Sequence, residues 1–420
     1  MGSKEVNNKR ESMVRFRIIR NCMFLSGLSV FAQLYLFQPM LSELCHSFDI
    51  TPAESSLAVS ASTVGMAVGL LFLAFKADGI SREKLMGVSL ILSSVLTIAS
   101  AFIDSYLFLL LFNFVKGIVL AGVSAVALAY LSEEIDSSKI GLAISLYLSG
   151  NTLGGMSGRV TATLLSGYGG WQLATLFIGG VSLVLGAIFC WKIPAGRNFS
   201  ASVVSFKEKI HQMRSFLTQT TFISMYVIAA LSMGIFVSVY NYLSFLLESP
   251  IFGLPHHLVA MIFMMYVAGI IGSVIAGVLS DRLGPEILLQ GALLLMGVGM
   301  SLLLVMKLWA IVVGLGVLTF AFFSTHTLAS RIVSMNAQHL KSSATSIYWL
   351  FYYVGSSLIG SLTGIVLVNN GWFSLMEVLL GLLFGALIVS SLFILKYRLH
   401  EKSKVYSHHR YGDDGVRSSN

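Results

Sequence analysis

Two cations stand in apolar sequence that offers them no partner. Arg159 closes the stretch SGNTLGGMSGR, residues 149–159, which carries four glycines inside a long apolar run. Lys116 lies in FNFVKGIVLAG, residues 112–122, which is equally apolar. A charged side chain at the centre of a bilayer costs about 2.5–3.5 kcal/mol on an insertion scale, so one found there serves a purpose. The carboxylates of the chain do not answer these two. Asp78 and Asp281 fall in polar connections, Glu43, Glu54 and Glu248 at the ends of apolar runs, and Glu377 early in the last run. A guanidinium and an ammonium without a nearby carboxylate are suited to an anion, and the chemistry expected of Arg159 and Lys116 is binding of a negatively charged group.

Other polar side chains punctuate the same runs. Asn113 lies one helical turn before Lys116, close to the same face. Tyr35 and Gln38 belong to the first run, Tyr240 and Asn241 to the seventh, and Tyr348 and Tyr352, at i and i+4, to the eleventh; all are expected to line a pocket with the cations. His326 is the imidazole deep in a run, and with Glu377 it is the expected carrier of protons. Cys22, Cys45 and Cys190 are scattered in or beside apolar runs and form neither a disulfide framework nor a metal spacing. The chain has no phosphate-binding glycine loop before a helix, no nucleophile elbow and no HExxH. No enzyme activity, cofactor, metal or nucleic-acid partner is therefore expected. The partners expected are a small-molecule substrate, protons and the lipid bilayer.

The elements that carry these residues follow from composition. Of 420 residues, 56% are hydrophobic and 11% charged, against about 25% charged in an ordinary soluble domain. Apolar runs about 20 residues long, without strand-like alternation, predict helices that cross a bilayer. Twelve spans are expected, near 20–42, 54–76, 84–103, 106–131, 139–166, 171–192, 219–246, 257–279, 286–306, 308–331, 341–368 and 373–395. Lysine and arginine set the orientation: 24 of the 27 fall in the two tails and the connections on their side, and Lys307 alone in a connection on the other. By the positive-inside rule both tails are cytoplasmic, and the plasma membrane is the expected location. The basic N-terminal segment has no small-residue cleavage site after a short apolar core, so no removable signal peptide is expected. The expected organisation is a tail, 1–19; a six-helix half, 20–192; a basic cytoplasmic connection, 193–218; a second six-helix half, 219–395; and a tail, 396–420.

The halves repeat each other. Ala143, Ser145, Tyr147, Gly154, Gly170 and Trp171 recur 201 residues later as Ala344, Ser346, Tyr348, Gly355, Gly371 and Trp372. Asp78 recurs 203 residues later as Asp281. A duplicated six-helix unit with a site between its copies is a transporter architecture. GVLSDRLGPE, residues 277–286, resembles the loop motif of the major facilitator superfamily through Gly277, Asp281, Arg282 and Gly284; in the first copy Asp78 and Arg82 remain. The segment Gly150, Gly154, Gly158 resembles the fifth-span motif of the drug:proton antiporter branch, a bacterial efflux type. Gly155 stands there in place of proline and Arg159 in place of the last glycine.

That resemblance implies an all-α integral membrane fold of twelve helices. It also implies alternating access, a pathway lined by spans 1, 4, 7 and 10, and gates at Asp78, Arg82, Asp281 and Arg282. Small residues four apart, here Gly150, Gly154, Gly155 and Gly158, let two helices pack closely. The function expected is secondary transport: proton-coupled efflux of a small anionic or zwitterionic metabolite or amphipathic compound, by a monomer. The alternatives are efflux of neutral drugs and proton-coupled uptake of a carboxylate or sugar.

Overall fold

The computed structural model describes the backbone of residues 2–136, 139–197, 206–337 and 341–412. It describes the side chains of these except 2–12, 78, 206, 209, 341–342 and 397–412. The regular elements among the described residues are all helices, and none is a strand. The first half comprises α1 (Gly2–Leu34), α2 (Leu41–Phe48), α3 (Pro52–Ser55), α4 (Leu57–Lys76), α5 (Arg82–Ser100), α6 (Tyr106–Glu134) and α7 (Ile140–Lys192). A short connecting helix, α8 (Phe206–Phe216), follows. The second half comprises α9 (Thr220–Glu248), α10 (His256–Val259), α11 (Tyr266–Leu283), α12 (Pro285–Leu302), α13 (Leu308–Asn336) and α14 (Lys341–Gly412).

Ten helical stretches among the described residues are long and apolar enough to cross a membrane, and two of these exceed 50 residues. A 53-residue helix would be about 80 Å long, far beyond a hydrocarbon core of about 30 Å. Both reverse at a glycine instead. Gly170 in α7 adopts φ 72°, ψ 173°, and Gly371 in α14 adopts φ 80°, ψ −173°, a conformation that side chains with a Cβ rarely adopt. The two reversals make twelve crossings, six in each half. Their shared backbone geometry at equivalent positions is the duplication expressed in structure. Large apolar side chains such as Val88, Leu107, Phe384 and Leu392 are exposed around the bundle, as a lipid-facing surface requires.

Two local features place the site. First, the helix of span 1 stops at Leu34, continues through turn residues 35–37 into a short 3-10 turn, Gln38–Met40, and resumes as α2. Pro39 supplies no N–H to a helical ladder and restricts the residue before it, so the span unwinds here, with Tyr35, Phe37 and Gln38 buried in the unwound stretch. Second, α7 lies against α1 backbone to backbone. A Cβ at Gly150, Gly154 or Gly158 would fall 2.3 Å from the Phe24 carbonyl oxygen, 2.2 Å from that of Leu28 and 2.7 Å from Cα of Ala32. Gly355 of α14 repeats this against α9, 2.1 Å from the Ala230 carbonyl oxygen.

The proximal face is here the one where span 1 begins and span 12 ends; the distal face is opposite. The hydrogen bonds recorded directly between the halves lie toward the distal face. Ser60 meets Ser361 at 2.6 Å, Thr63 meets Ser357 at 2.7 Å, and Ser166 meets His256 at 3.1 Å. The distal face is therefore closed in this structure.

Candidate functional site

Arg159 is the centre of the site. It is 3% exposed, and no carboxylate partner is recorded for it among the described residues. Its Nε donates to Gln38 Oε1 at 2.7 Å and its Nη1 to the Gly155 carbonyl at 2.6 Å. The guanidinium carbon lies 4.4 Å from the ring centre of Tyr35 and 4.8 Å from that of Tyr266, with Phe263 at 6.0 Å. Aromatic faces carry partial negative charge and hold a cation without neutralising it. The arrangement keeps the charge available to an anion. Gly155 has a specific task here: a Cβ at this position would lie 3.1 Å from Nη1, so the absent side chain makes room for the guanidinium.

The site spans both halves. Tyr35 and Gln38 come from span 1 and Arg159 from span 5; Phe263 and Tyr266 come from span 8. Gln38 Nε2 donates to Asn241 Oδ1 of span 7 at 2.8 Å, and Asn241 Nδ2 to the Gly360 carbonyl of span 11 at 3.3 Å. Tyr240 is buried against the rings of Phe236, Phe263 and Tyr266 and pairs with Thr319 at 2.8 Å. Phe236 stacks on Phe322 at 4.0 Å, which extends the aromatic wall toward His326. His326 Nδ1 meets the Tyr348 hydroxyl at 2.8 Å, and the rings of Trp349 and Tyr352 lie 5.3 and 4.9 Å away.

Several sequence expectations change. Lys116 is buried, donates to Asn113 Oδ1 at 2.6 Å and sits 5.1 Å from the ring centre of Phe37. It touches the same unwound stretch of span 1 as Arg159 but different residues of it, and no contact between the two cations is recorded. Asn113 Nδ2 is closed off without a hydrogen-bond partner. Glu377 is exposed on the surface of the bundle, on a turn of span 12 that faces outward. Two of the gate residues have partners within their own half. Asp281 accepts from Arg331 of α13, and Arg82 lies 3.3 Å from Glu133 of α6 and donates to the Ala77 carbonyl at 2.6 Å. Arg282 is exposed, and the side chain of Asp78 lies outside the described residues. Gln33 bonds Ser29 and Thr97 and joins spans 1 and 3.

Sequence reading passed over Phe263 and Tyr266, whose spacing of three residues at the start of span 8 puts them on one helical face. It also passed over the distal seam. There His256 meets Glu248, and Glu43 of the opposite half approaches Ser166 and His256. No group of three or more metal-binding side chains occurs among the described residues.

These features define a class: a helical, multi-pass membrane carrier of two repeated halves with a charged site between them. The chain belongs to the Major Facilitator Superfamily, whose family model matches residues 23–360. It is a membrane transporter and not an enzyme. It is similar to the uncharacterized MFS-type transporter YybF of Bacillus subtilis, 32% identical over 92% of this chain and 96% of that one. It is also similar to the inner membrane transport protein YnfM of Escherichia coli, 33% identical over 85% and 86%. A more distant likeness, 24% identical over 64% and 66%, runs to a benzoate transport protein of Acinetobacter baylyi. Among solved structures, a bacterial homologue of the human lysosomal transporter Spinster, inward-facing and occupied, superposes with a TM-score of 0.74. That match has 14% identity and covers 90% of this chain and 96% of the other, so it supports the fold alone.

Proposed function

We propose that the protein carries small organic anions by alternating access, with a carboxylate or similar group on Arg159 and an apolar or aromatic body against Tyr35, Phe263 and Tyr266. The observation that carries this reading is a buried guanidinium held by neutral groups and ring faces, with no recorded carboxylate. The name of the benzoate transport relative points to the same chemistry. We place both termini in the cytoplasm, so the closed distal face of this structure is the outer one.

Export is the favoured direction. With the interior negative, each outgoing negative charge gains about 2.3 kcal/mol per 100 mV. Proton coupling falls to His326, whose imidazole and Tyr348 partner border the aromatic wall, and the monomer is the working unit. Uptake of an aromatic carboxylate is the second reading, favoured by the same relative.

The test is transport by the purified protein in proteoliposomes with an imposed pH gradient, using benzoate, an aliphatic carboxylate, an amphipathic cation and a neutral drug. Movement of acids that is lost in Arg159→Gln supports the reading. Movement of cations or neutral compounds, unchanged in Arg159→Gln, overturns it. Loading from inside or outside decides direction.

A further inference from the structure

The hydrogen bonds at Arg159 form a directed chain across the molecule. Arg159 Nε donates to Gln38, Gln38 donates to Asn241, and Asn241 donates to the Gly360 carbonyl. The chain respects the duplication. Gln38 and Asn241 are 203 residues apart, the separation that also relates Asp78 to Asp281. Gly360 stands 201 residues after Arg159, the separation of the fifth- and eleventh-span repeat. Each half thus contributes one amide from its first span and one acceptor or donor from its fifth, and the two amides meet between the halves. Gln38 and Asn241 are both 0% exposed.

A guanidinium only donates, and this fixes every orientation in the chain. Gln38 must turn Oε1 toward Arg159, which leaves Nε2 for the other half. Asn241 must then offer Oδ1, which leaves Nδ2 for a carbonyl. Gln38 lies in the unwound stretch of span 1, outside a continuous helical ladder, so it can move without unwinding a helix. Drawing the distal ends apart would break Gln38–Asn241 and strand buried polar groups.

We propose that Gln38 and Asn241 are a latch that holds the distal face shut and, in the same arrangement, aims the Arg159 guanidinium. They act as positioning residues rather than as the binding group. The second part rests on Arg159 being the anion site. An anion there competes with Gln38 for Nε, releases the Gln38 amide to rotate and loosens the latch, which ties occupancy to opening of the distal face.

The test reads distances between spin labels at Tyr168→Cys and Ile251→Cys. These residues are exposed on distal connections of opposite halves, and the full chain is used in lipid nanodiscs with Cys22, Cys45 and Cys190 replaced by alanine. Gln38→Leu and Asn241→Leu should each shift the population toward longer distal distances. The exchange Gln38→Asn with Asn241→Gln keeps two amides and their summed reach, and should return the wild-type distribution. Leucine variants that keep the wild-type distribution overturn the latch. So does a folded exchange variant that behaves like them, since only a hydrogen-bonding role predicts rescue. The distances are taken without substrate, so they stand apart from the transport test. Loss of transport in Arg159→Gln beside unmoved distances would end the latch and leave the anion site. Shifted distances beside intact transport would do the reverse.

Discussion

Positions 159 and 360 occupy the same place in the two repeats, and one is an arginine while the other is a glycine. Around them the halves agree closely. Gly154 and Gly355 each press a helix onto the backbone of the first span of their half, and Gly170 and Gly371 turn the chain with nearly the same dihedral angles. The side chains then diverge. Tyr147 is buried near Ser124 and Asn151, whereas its repeat Tyr348 meets His326. The difference separates two kinds of constraint. Close helix packing is steric and must be met in both halves. On the proposed reading an anionic substrate needs one cation at the interface, and a second Arg at 360 would repel the first.

The comparison is broken most directly at Arg159. Arg159→Gln removes the charge and keeps a hydrogen-bonding side chain of similar reach. Losing one partner of a buried charged pair costs about 2–5 kcal/mol, which is roughly a 30-fold or larger fall in kcat/KM for an anionic substrate. Arg159→Lys should recover only part of it, because an ammonium lacks the planar fork that meets Gln38 and Gly155 together. Initial rates in proteoliposomes, normalised to folded protein, measure both. An unchanged rate in Arg159→Gln would make the asymmetry at 159 and 360 a matter of packing.

The repeat itself is tested by matched substitutions. A Cβ at Gly154 or Gly355 falls 2.2 or 2.1 Å from a backbone oxygen, so the helices must separate. Overpacking of this kind costs about 1–3 kcal/mol, and Gly154→Ala and Gly355→Ala should lower thermal stability by similar amounts. Gly371→Ala isolates a different term. A Cβ there meets nothing within 4 Å, and the cost is backbone strain, about 1–3 kcal/mol. Thermal unfolding in detergent reads all three. A marked mismatch between the first two would show that only one of the contacts carries its half.

What could be read in advance follows this division. The spans, the two reversals and the glycine contacts leave local marks in sequence: apolar run length, Gly170 and Gly371 at equal spacing, and small residues four apart. Arg159 was visible because charge in an apolar run is conspicuous. Its surroundings were not. Phe263 and Tyr266 reach Arg159 from more than a hundred residues away, and nothing local marks which face of span 8 turns inward. Nor does anything local mark that the turn of span 12 bearing Glu377 faces outward. The gate residue Asp281 pairs with Arg331 on α13 of its own half, a pairing that sequence spacing alone does not give.

Contacts between the halves should respond more weakly than the packing inside them. Thr63→Val keeps the shape of the side chain and removes its bond to Ser357, which retains the Tyr353 carbonyl as a partner. The net worth of such a bond is about 0.5–1.5 kcal/mol, and the closed distal state should lose about that much while thermal stability barely changes. The distal label distances read the first quantity and unfolding the second. A large fall in thermal stability instead would mean that this seam holds the fold together and is not a surface that parts during transport.

The smallest effect is expected at another broken repeat. Glu377 stands 201 residues after Leu176, so here too one half has a charge where the other has none. Unlike the buried Arg159, Glu377 is exposed on the surface of the bundle about two turns from the Gly371 reversal. A carboxylate near the end of a span can reach water and needs no partner inside. Glu377→Gln should therefore leave both transport and its pH dependence at the wild-type values, while His326→Gln, beside Tyr348 on the aromatic wall, should flatten the pH dependence. Rates measured from pH 5 to 8 in the two variants separate the residues. A flattened profile in Glu377→Gln would show that an asymmetry between the repeats can matter without being buried, and would return the proton pathway to span 12.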